Sequence, residues 1–153
     1  MVLLRAFALT GAVKVFQVIF MGFDMSHYTT FYEQSWVQEF TRKGGGNHSS
    51  HIHWNTHVNA FYFLKCGPET SFPIFHDPRP GAEMSRLPQK DATKITLNSS
   101  QVHYKPKPGT MIIFPGYVPH QFAVDAGLDP FRFIHFNIQA VRNVIIDGVK
   151  NEN

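Results

Sequence analysis

The sequence predicts an all-β domain, built as a two-sheet jelly roll or a barrel, and three observations lead to this. Aromatic residues make up 14% of the chain, with fifteen phenylalanines, and aromatic side chains favour strands. Ten prolines and eleven glycines are spread along the chain and indicate many turns. Between these turns lie roughly eight short strand-like runs with no repeat period, which is typical of a sandwich or barrel.

Each predicted strand is a short run of aromatic and branched residues that ends at a turn signal. Turns such as DPRPG and KPKPGT separate the runs, and the continuously apolar MIIFP predicts a strand buried on both faces. In chain order, the runs are Trp36–Arg42, His51–Asn55, His57–Lys65, Phe72–His76, Lys94–Leu97, Gln101–Lys105, Met111–Pro115, His120–Val124 and Phe131–Ala140.

The length of 153 residues suits a single domain with one core. We expect a covering segment over residues 1–34, a core over 35–140 and a tail over 141–153. The apolar start of the chain is interrupted by Arg5 and Lys14 and falls short of the roughly 18 apolar residues of a membrane span. It therefore indicates a helix or strand covering the sheet rather than a secretory signal, and no membrane partner is expected.

Charge and cysteine content narrow the range of partners and compartments. The formal net charge is +3 without a basic block, so nothing indicates nucleic acid. The single cysteine, Cys66, excludes an intrachain disulfide and fits a reducing compartment, so we expect a cytoplasmic protein. No histidine–acid pairing with Cys66 can be read, so we expect an inert thiol. Nine histidines are the unusual feature, and four of them lie between positions 48 and 57.

Histidines in SHIHWN suggest a metal site. In a strand, His51 and His53 would point to the same face, and His120 supplies a third imidazole from a distant strand. Three protein ligands that leave coordination positions open are typical of a catalytic metal such as iron(II) or zinc. Asp77, in HDPRP, could supply a carboxylate ligand instead, although an aspartate before proline more often caps a turn.

The last two predicted strands suggest a hairpin across DAGLDP. If its turn centres near Gly127, His120 and Arg132 share one face with apolar neighbours. A buried arginine is costly unless it meets an anion, and its guanidinium makes a forked contact with a carboxylate. Arg132 therefore becomes a candidate anchor for a carboxylate ligand, and a surface strand arginine is the alternative.

Several of these runs together resemble a known family. The segments that carry the likeness are SWVQEFTRKGGGNHSSHIHWNTHVNAFYFLK, FPIFHDPRP, KPGTMIIFPGYVPHQF and FRFIHFNIQ. They are similar to a group of 2-oxoglutarate- and iron(II)-dependent oxygenases from phages, marine bacteria and environmental sequences. The likeness covers Ser35 to Ala140, about two thirds of the chain, and its most specific parts are H-x-H before Asn55 and an arginine ahead of F-N.

This resemblance implies a double-stranded β-helix that binds iron at one mouth. His51 takes the first ligand position and His120 the distal one, while His53 stands where the wider superfamily has a carboxylate. Arg132 would bind the C5 carboxylate of 2-oxoglutarate, and Asn55 or Tyr62 could hydrogen-bond this co-substrate. The implied chemistry is activation of O₂, decarboxylation of 2-oxoglutarate to succinate and oxidation of a C–H bond of a small molecule or peptide.

Two other functions stay open at this point. One is a three-histidine, cupin-like enzyme that needs no 2-oxoglutarate. The other is a non-enzymatic jelly roll that binds a carbohydrate or a protein partner. The exposed edges of a jelly roll make a homodimer plausible, and a phage-encoded protein would work in the host cytoplasm.

Overall fold

Residues 25–40 and 46–143 are described by the computed structural model, and they form two four-stranded sheets. Every strand pairing is antiparallel. The strands are β1 (Tyr28–Phe40), β2 (His48–His51), β3 (Val58–Lys65), β4 (Pro73–His76), β5 (Gln101–His103), β6 (Met111–Pro115), β7 (His120–Phe122) and β8 (Phe131–Arg142). Described helical structure is limited to a 3-10 turn, Met25–His27, and a short helix α1, Pro80–Met84.

The two sheets face each other as a jelly roll. One sheet has the order β1-β8-β3-β6 and the other β2-β7-β4-β5, so strands distant in the chain become neighbours. Phe61 on β3 contacts Phe122 on β7 and Phe75 on β4, with ring centroids 5.3 and 6.5 Å apart. The predicted all-β class is therefore confirmed.

The core between the sheets is made almost entirely of phenylalanine rings. Because side chains alternate along a strand, every second residue of β3 and β8 points into this space. Phe61 is completely buried there and contacts rings from both sheets. The buried members are Phe40, Phe61, Phe63, Phe114, Phe122, Phe131 and Phe133.

The opposite face of the first sheet is also apolar and buried. Val58, Ala60, Phe136 and Ile138 form a second cluster there, on the alternate positions of β3 and β8. This double-sided burial explains why β3 and β8 read as nearly continuous apolar runs rather than as alternating ones.

Several predicted boundaries differ from the observed strands. β1 begins at Tyr28, so the first sheet starts before the predicted core boundary at 35. The predicted strand Lys94–Leu97 is wrong, because these residues form turns in which Ile95 and Leu97 are exposed. The strand predicted for Met111–Pro115 is confirmed, but most of its residues are only partly buried because β6 is at the edge of its sheet.

The predicted hairpin between β7 and β8 is wrong. These strands lie in different sheets, and β8 pairs with β1 and β3. Residues 1–24, including most of the predicted covering segment, and most of the predicted tail lie outside the described residues. Within the described part of the chain, no helix is long and apolar enough to cross a membrane.

Candidate metal centre

Three histidines converge where two paired strands meet. His51 is the last residue of β2 and lies directly opposite His120, the first residue of β7. His53 lies two residues beyond the end of β2, so an irregular segment and not a strand brings it to the same place. One ring nitrogen from each histidine lies within 4.8 Å of the other two, and no other group of this kind occurs among the described residues.

The spacing of these nitrogens suits a single ion. Nε2 of His53 and Nε2 of His120 are 3.3 Å apart. Two imidazole nitrogens that each bind an ion at about 2.1 Å lie about 3.0 to 3.4 Å apart in octahedral or tetrahedral geometry. The observed separation therefore needs little change when both nitrogens bind the same metal.

Backbone carbonyls orient two of the three rings. Nδ1 of His51 lies 2.7 Å from the Ser49 carbonyl, and Nδ1 of His120 lies 3.1 Å from the Val118 carbonyl. A carbonyl only accepts, so each Nδ1 carries the proton and donates it. Each Nε2 then keeps a lone pair for a metal, as is usual for a histidine ligand held by an outer acceptor.

Burial keeps the imidazoles neutral. His120 is completely buried, which lowers its pKa to about 3, with further lowering from the neighbouring His51. Burial and the nearby His51 lower the pKa of His53 to about 4. Metal ions bind only the neutral form of imidazole, so near pH 7 neither ring has to lose an extra proton first.

The surroundings are apolar and leave little room. The Phe61 and Phe114 rings lie 5.4 and 5.0 Å from the ring of His120. The cavity measures about 20 Å³, enough for an ion or one water molecule. Its lining residues are Trp36, Gln38, His48, His51, Phe61, His120, Phe122, Phe133 and His135.

A fourth histidine lies beside the three. His135 on β8 is 3% exposed, and its ring lies 4.5 Å from that of His53 and 4.2 Å from that of Trp36. Its Nε2 has no hydrogen-bond partner in the described structure, and burial lowers its pKa to about 2. The sequence alone favours a simple strand position for His135, whereas its ring contact with His53 indicates a supporting role at the site.

Other cavity residues were missed by sequence reasoning. Trp36 and Gln38 reach the site because Trp36 lies opposite His135, and Gln38 opposite Phe133, in the β1–β8 pairing. Their spacing of two residues indicates that they share one face of β1, but only the long-range pairing with β8 shows that this face lies at the histidines.

Asp77 does not belong to the site. Its carboxylate accepts hydrogen bonds from Arg79 at 2.8 Å and from Arg86 at 3.1 Å. These guanidinium groups, Arg79 first, hold the pKa of Asp77 well below its usual range. The carboxylate therefore fixes the loop after β4, and it is not in the group of converging ligand atoms.

Arg132 lies on the opposite face of the first sheet from the histidines. On β8, His135 faces the core while Arg132 has the other parity and pairs with Glu39 on β1. The expected shared interior of Arg132 and His120 is therefore not formed. The predicted hairpin failed because β7 pairs with β2 and β4 instead.

The two residues suggested as further contacts for 2-oxoglutarate also lie elsewhere. Tyr62 packs with the cluster on the outer face of the first sheet. Asn55 is exposed in the turn after His53, where it adopts a positive φ of 55°. Neither residue lines the cavity at the histidines.

Three histidines that converge where two paired strands of a jelly roll meet form a candidate non-haem metal site. The chain belongs to the family described as "Putative 2OG-Fe(II) oxygenase", whose model matches residues 34–137. Iron(II) and 2-oxoglutarate are the cofactors of this family, as predicted, and the three-nitrogen donor set fits iron(II).

Two solved structures are similar to this chain at low sequence identity. One is the crystal structure of EvdMO1, with 17% identity and a TM-score of 0.52 over 72% of this chain and 27% of that one. Another is the non-heme alpha ketoglutarate dependent epimerase SnoN from nogalamycin biosynthesis, with 13% identity and a TM-score of 0.47 over 72% and 48%. The chain thus spans about a quarter and about half of their lengths. No curated protein matches the chain.

Proposed function

We propose that this chain is an iron(II)- and 2-oxoglutarate-dependent dioxygenase that hydroxylates a small-molecule or peptide substrate. His51, His53 and His120 would hold the metal. The observation that carries the proposal is the convergence of three imidazoles to within 4.8 Å in a chain of this family. Cytoplasmic location, a homodimer and a phage or marine origin stay predictions.

The reaction has a simple balance. One oxygen atom of O₂ enters the substrate C–H bond to give an alcohol, and the other enters succinate. 2-Oxoglutarate supplies two electrons as it loses CO₂, and the substrate supplies the other two. The metal, when bound, provides the redox chemistry that joins O₂ to these two half-reactions.

The chain's own residues prepare the site in two ways. The three imidazoles would supply three ligands to iron(II), and coordination positions would remain for exogenous ligands. The aromatic walls at Phe61 and Phe114 keep water from His120 and lower the local dielectric. Charge that develops at the metal is therefore poorly screened there.

The co-substrate carboxylate has a different set of candidate partners from that implied by the resemblance. No lysine or arginine lines the cavity among the described residues, whereas the polar side chains of Gln38 and His48 do. We propose that these two groups contact 2-oxoglutarate once the cavity widens, because its volume of about 20 Å³ admits only an ion or one water molecule. Ile52 and Trp54 flank His53 in the chain and are exposed, so they are available to contact the substrate.

A three-histidine enzyme that needs no 2-oxoglutarate is the second candidate. The observation in its favour is the position of Arg132, outside the site and paired with Glu39. Both candidates require the same three metal ligands, so only the co-substrate distinguishes them.

The test uses protein purified without a histidine tag and loaded anaerobically with Fe(II). Adding 2-oxoglutarate should produce a weak visible charge-transfer band, and air should then yield succinate. His53→Ala and His120→Ala should abolish both signals. His103→Ala is the matched control, because His103 is exposed on β5 and should leave both intact. Iron binding without a band or succinate would favour the second candidate.

A further inference from the structure

Asn137 lies next to Nδ1 of His53, the ring nitrogen that faces away from His120. It sits on β8 two residues after His135, and it is 3% exposed. Its amide Nδ2 is 3.5 Å from Nδ1 of His53, while its Oδ1 has no hydrogen-bond partner in the described structure. Asn137 is therefore a buried amide whose Nδ2 lies near a candidate ligand while its Oδ1 is unpaired, and unpaired buried polar groups are rare in proteins.

The arrangement fixes a particular protonation pattern. An amide NH₂ only donates, so Nδ1 of His53 must present a lone pair to it. The proton of the neutral ring is then on Nε2, from which it can be donated to Nε2 of His120 at 3.3 Å. His120 can accept because its own proton is on Nδ1, facing the Val118 carbonyl. This pattern is consistent without metal, but it leaves His53 no lone pair for an ion.

Metal binding by His53 Nε2 requires the opposite pattern. The proton must move to Nδ1, which then needs an acceptor. If the Asn137 amide turns by 180°, Oδ1 faces the ring and accepts that proton. The turn sacrifices no hydrogen bond at the other end, because Oδ1 has no partner there.

We infer that Asn137 is a positioning residue whose amide turns when His53 binds the metal. His51 and His120 face carbonyl groups, which cannot turn, so their Nε2 atoms are set for the metal in both states. His53 is thereby the one ligand of the three whose tautomer follows metal occupancy. The inference rests on the metal centre of the proposed function and does not depend on 2-oxoglutarate.

Zinc affinity, measured by competition with a chromogenic chelator at fixed pH, tests this role. Asn137→Leu removes the acceptor and should weaken zinc binding about 10- to 100-fold, as for other outer partners of histidine ligands. Asn137→Asp restores an acceptor and should bind within a few-fold of the wild type or more tightly. Asn59→Leu is the control, because Asn59 is a buried amide opposite Asn137 that bonds Thr56 and not His53.

A second measurement does not depend on the variants folding. Two-bond ¹H–¹⁵N correlation spectra of the wild-type histidines report which ring nitrogen carries the proton. His53 should be protonated on Nε2 without zinc and on Nδ1 with zinc. Protonation on Nδ1 in the metal-free protein, or a folded Asn137→Leu variant with wild-type zinc affinity, would overturn the inference. If the wild type binds no zinc at all, the metal centre itself fails, which is a separate result.

Discussion

His120→Phe separates the metal-binding role of His120 from its packing role. His120 is completely buried among the rings of Phe61, Phe75 and Phe114. A phenyl ring suits these apolar neighbours but is larger than imidazole by one ring atom, and the cavity of about 20 Å³ beside His120 can take up the difference. In the metal-free protein the substitution loses two hydrogen bonds, one to the Val118 carbonyl and one from Nε2 of His53, and each contributes about 1 kcal/mol. It also removes the cost of burying polar nitrogens, which offsets part of this loss, so we expect the metal-free free energy of unfolding to fall by about 2 kcal/mol or less.

The metal-dependent stability should change much more. An ion that binds only the folded state at 100 times its dissociation constant contributes about 2.7 kcal/mol. For a domain of this size, 1 kcal/mol corresponds to about 3 °C, so zinc should raise the Tm of the wild type by roughly 8 °C. The variant loses one of three ligands and should show little or no rise.

The assay is thermal unfolding followed by circular dichroism, with and without zinc, for the wild type, His120→Phe and the exposed-histidine control His103→Ala. A variant that keeps the full zinc-dependent rise would refute the assignment of His120 as a ligand. A variant that loses several kcal/mol without metal would instead refute the reasoning about its packing.

Three further predictions follow from the same geometry. The metal-free protein should lose stability as pH falls from 6.5 towards 4, because the pKa values of His53, His120 and His135 are lowered in the folded state and the unfolded chain therefore takes up protons first. Measuring Tm against pH checks this, and a flat profile would contradict it. Arg132→Ala should lower the free energy of unfolding by less than about 1 kcal/mol, because Arg132 pairs with Glu39 outside the site. The affinity for 2-oxoglutarate, measured by calorimetry, should not change. Loss of binding would show that Arg132 is the carboxylate anchor after all. Phe61→Ala should cost about 3 to 5 kcal/mol in denaturant unfolding, because the ring is fully buried between the sheets, and a loss below about 1 kcal/mol would show that it is not central to the core.

Local patterns predicted most of the strands. The aromatic runs of β3 and β8 are strong strand formers, and the proline-rich turns bound β4 and β6. Lys94–Leu97 has the composition of a strand, but it pairs with no described strand. The side chains of Asp91 and Ser99 instead accept hydrogen bonds from the backbone N–H groups of Thr93 and Thr96, which favours turns. Composition alone cannot report whether a partner strand exists.

The candidate metal ligands could be predicted because the chemistry of histidine is specific. His51 and His53 were predicted to share a strand face, yet His53 lies in an irregular segment after β2, so the convergence was predicted with a partly wrong geometry. Arg132 shows the limit of this reasoning. Its predicted position depended on a β7–β8 hairpin, and a change of pairing partner moved it to the other face of the sheet.

Asn137 and Trp36 could not be recognised from the sequence as neighbours of the site. Both reach His53 only through long-range strand pairing: Trp36 lies opposite His135, and Asn137 lies two residues further along the same strand. A polar residue within an aromatic run gives no sign of what it faces. The pairing of β1 with β8 is the information that the sequence lacks.

Iron K-edge absorption spectroscopy of the Fe(II)-loaded protein tests the central claim most directly. The extended fine structure counts the imidazole rings around the metal and measures their distances. We predict three imidazole nitrogens at about 2.1 Å, falling to two in both His53→Ala and His120→Ala. A shell with one imidazole or none, or a shell unchanged in these variants, would contradict the three-histidine centre.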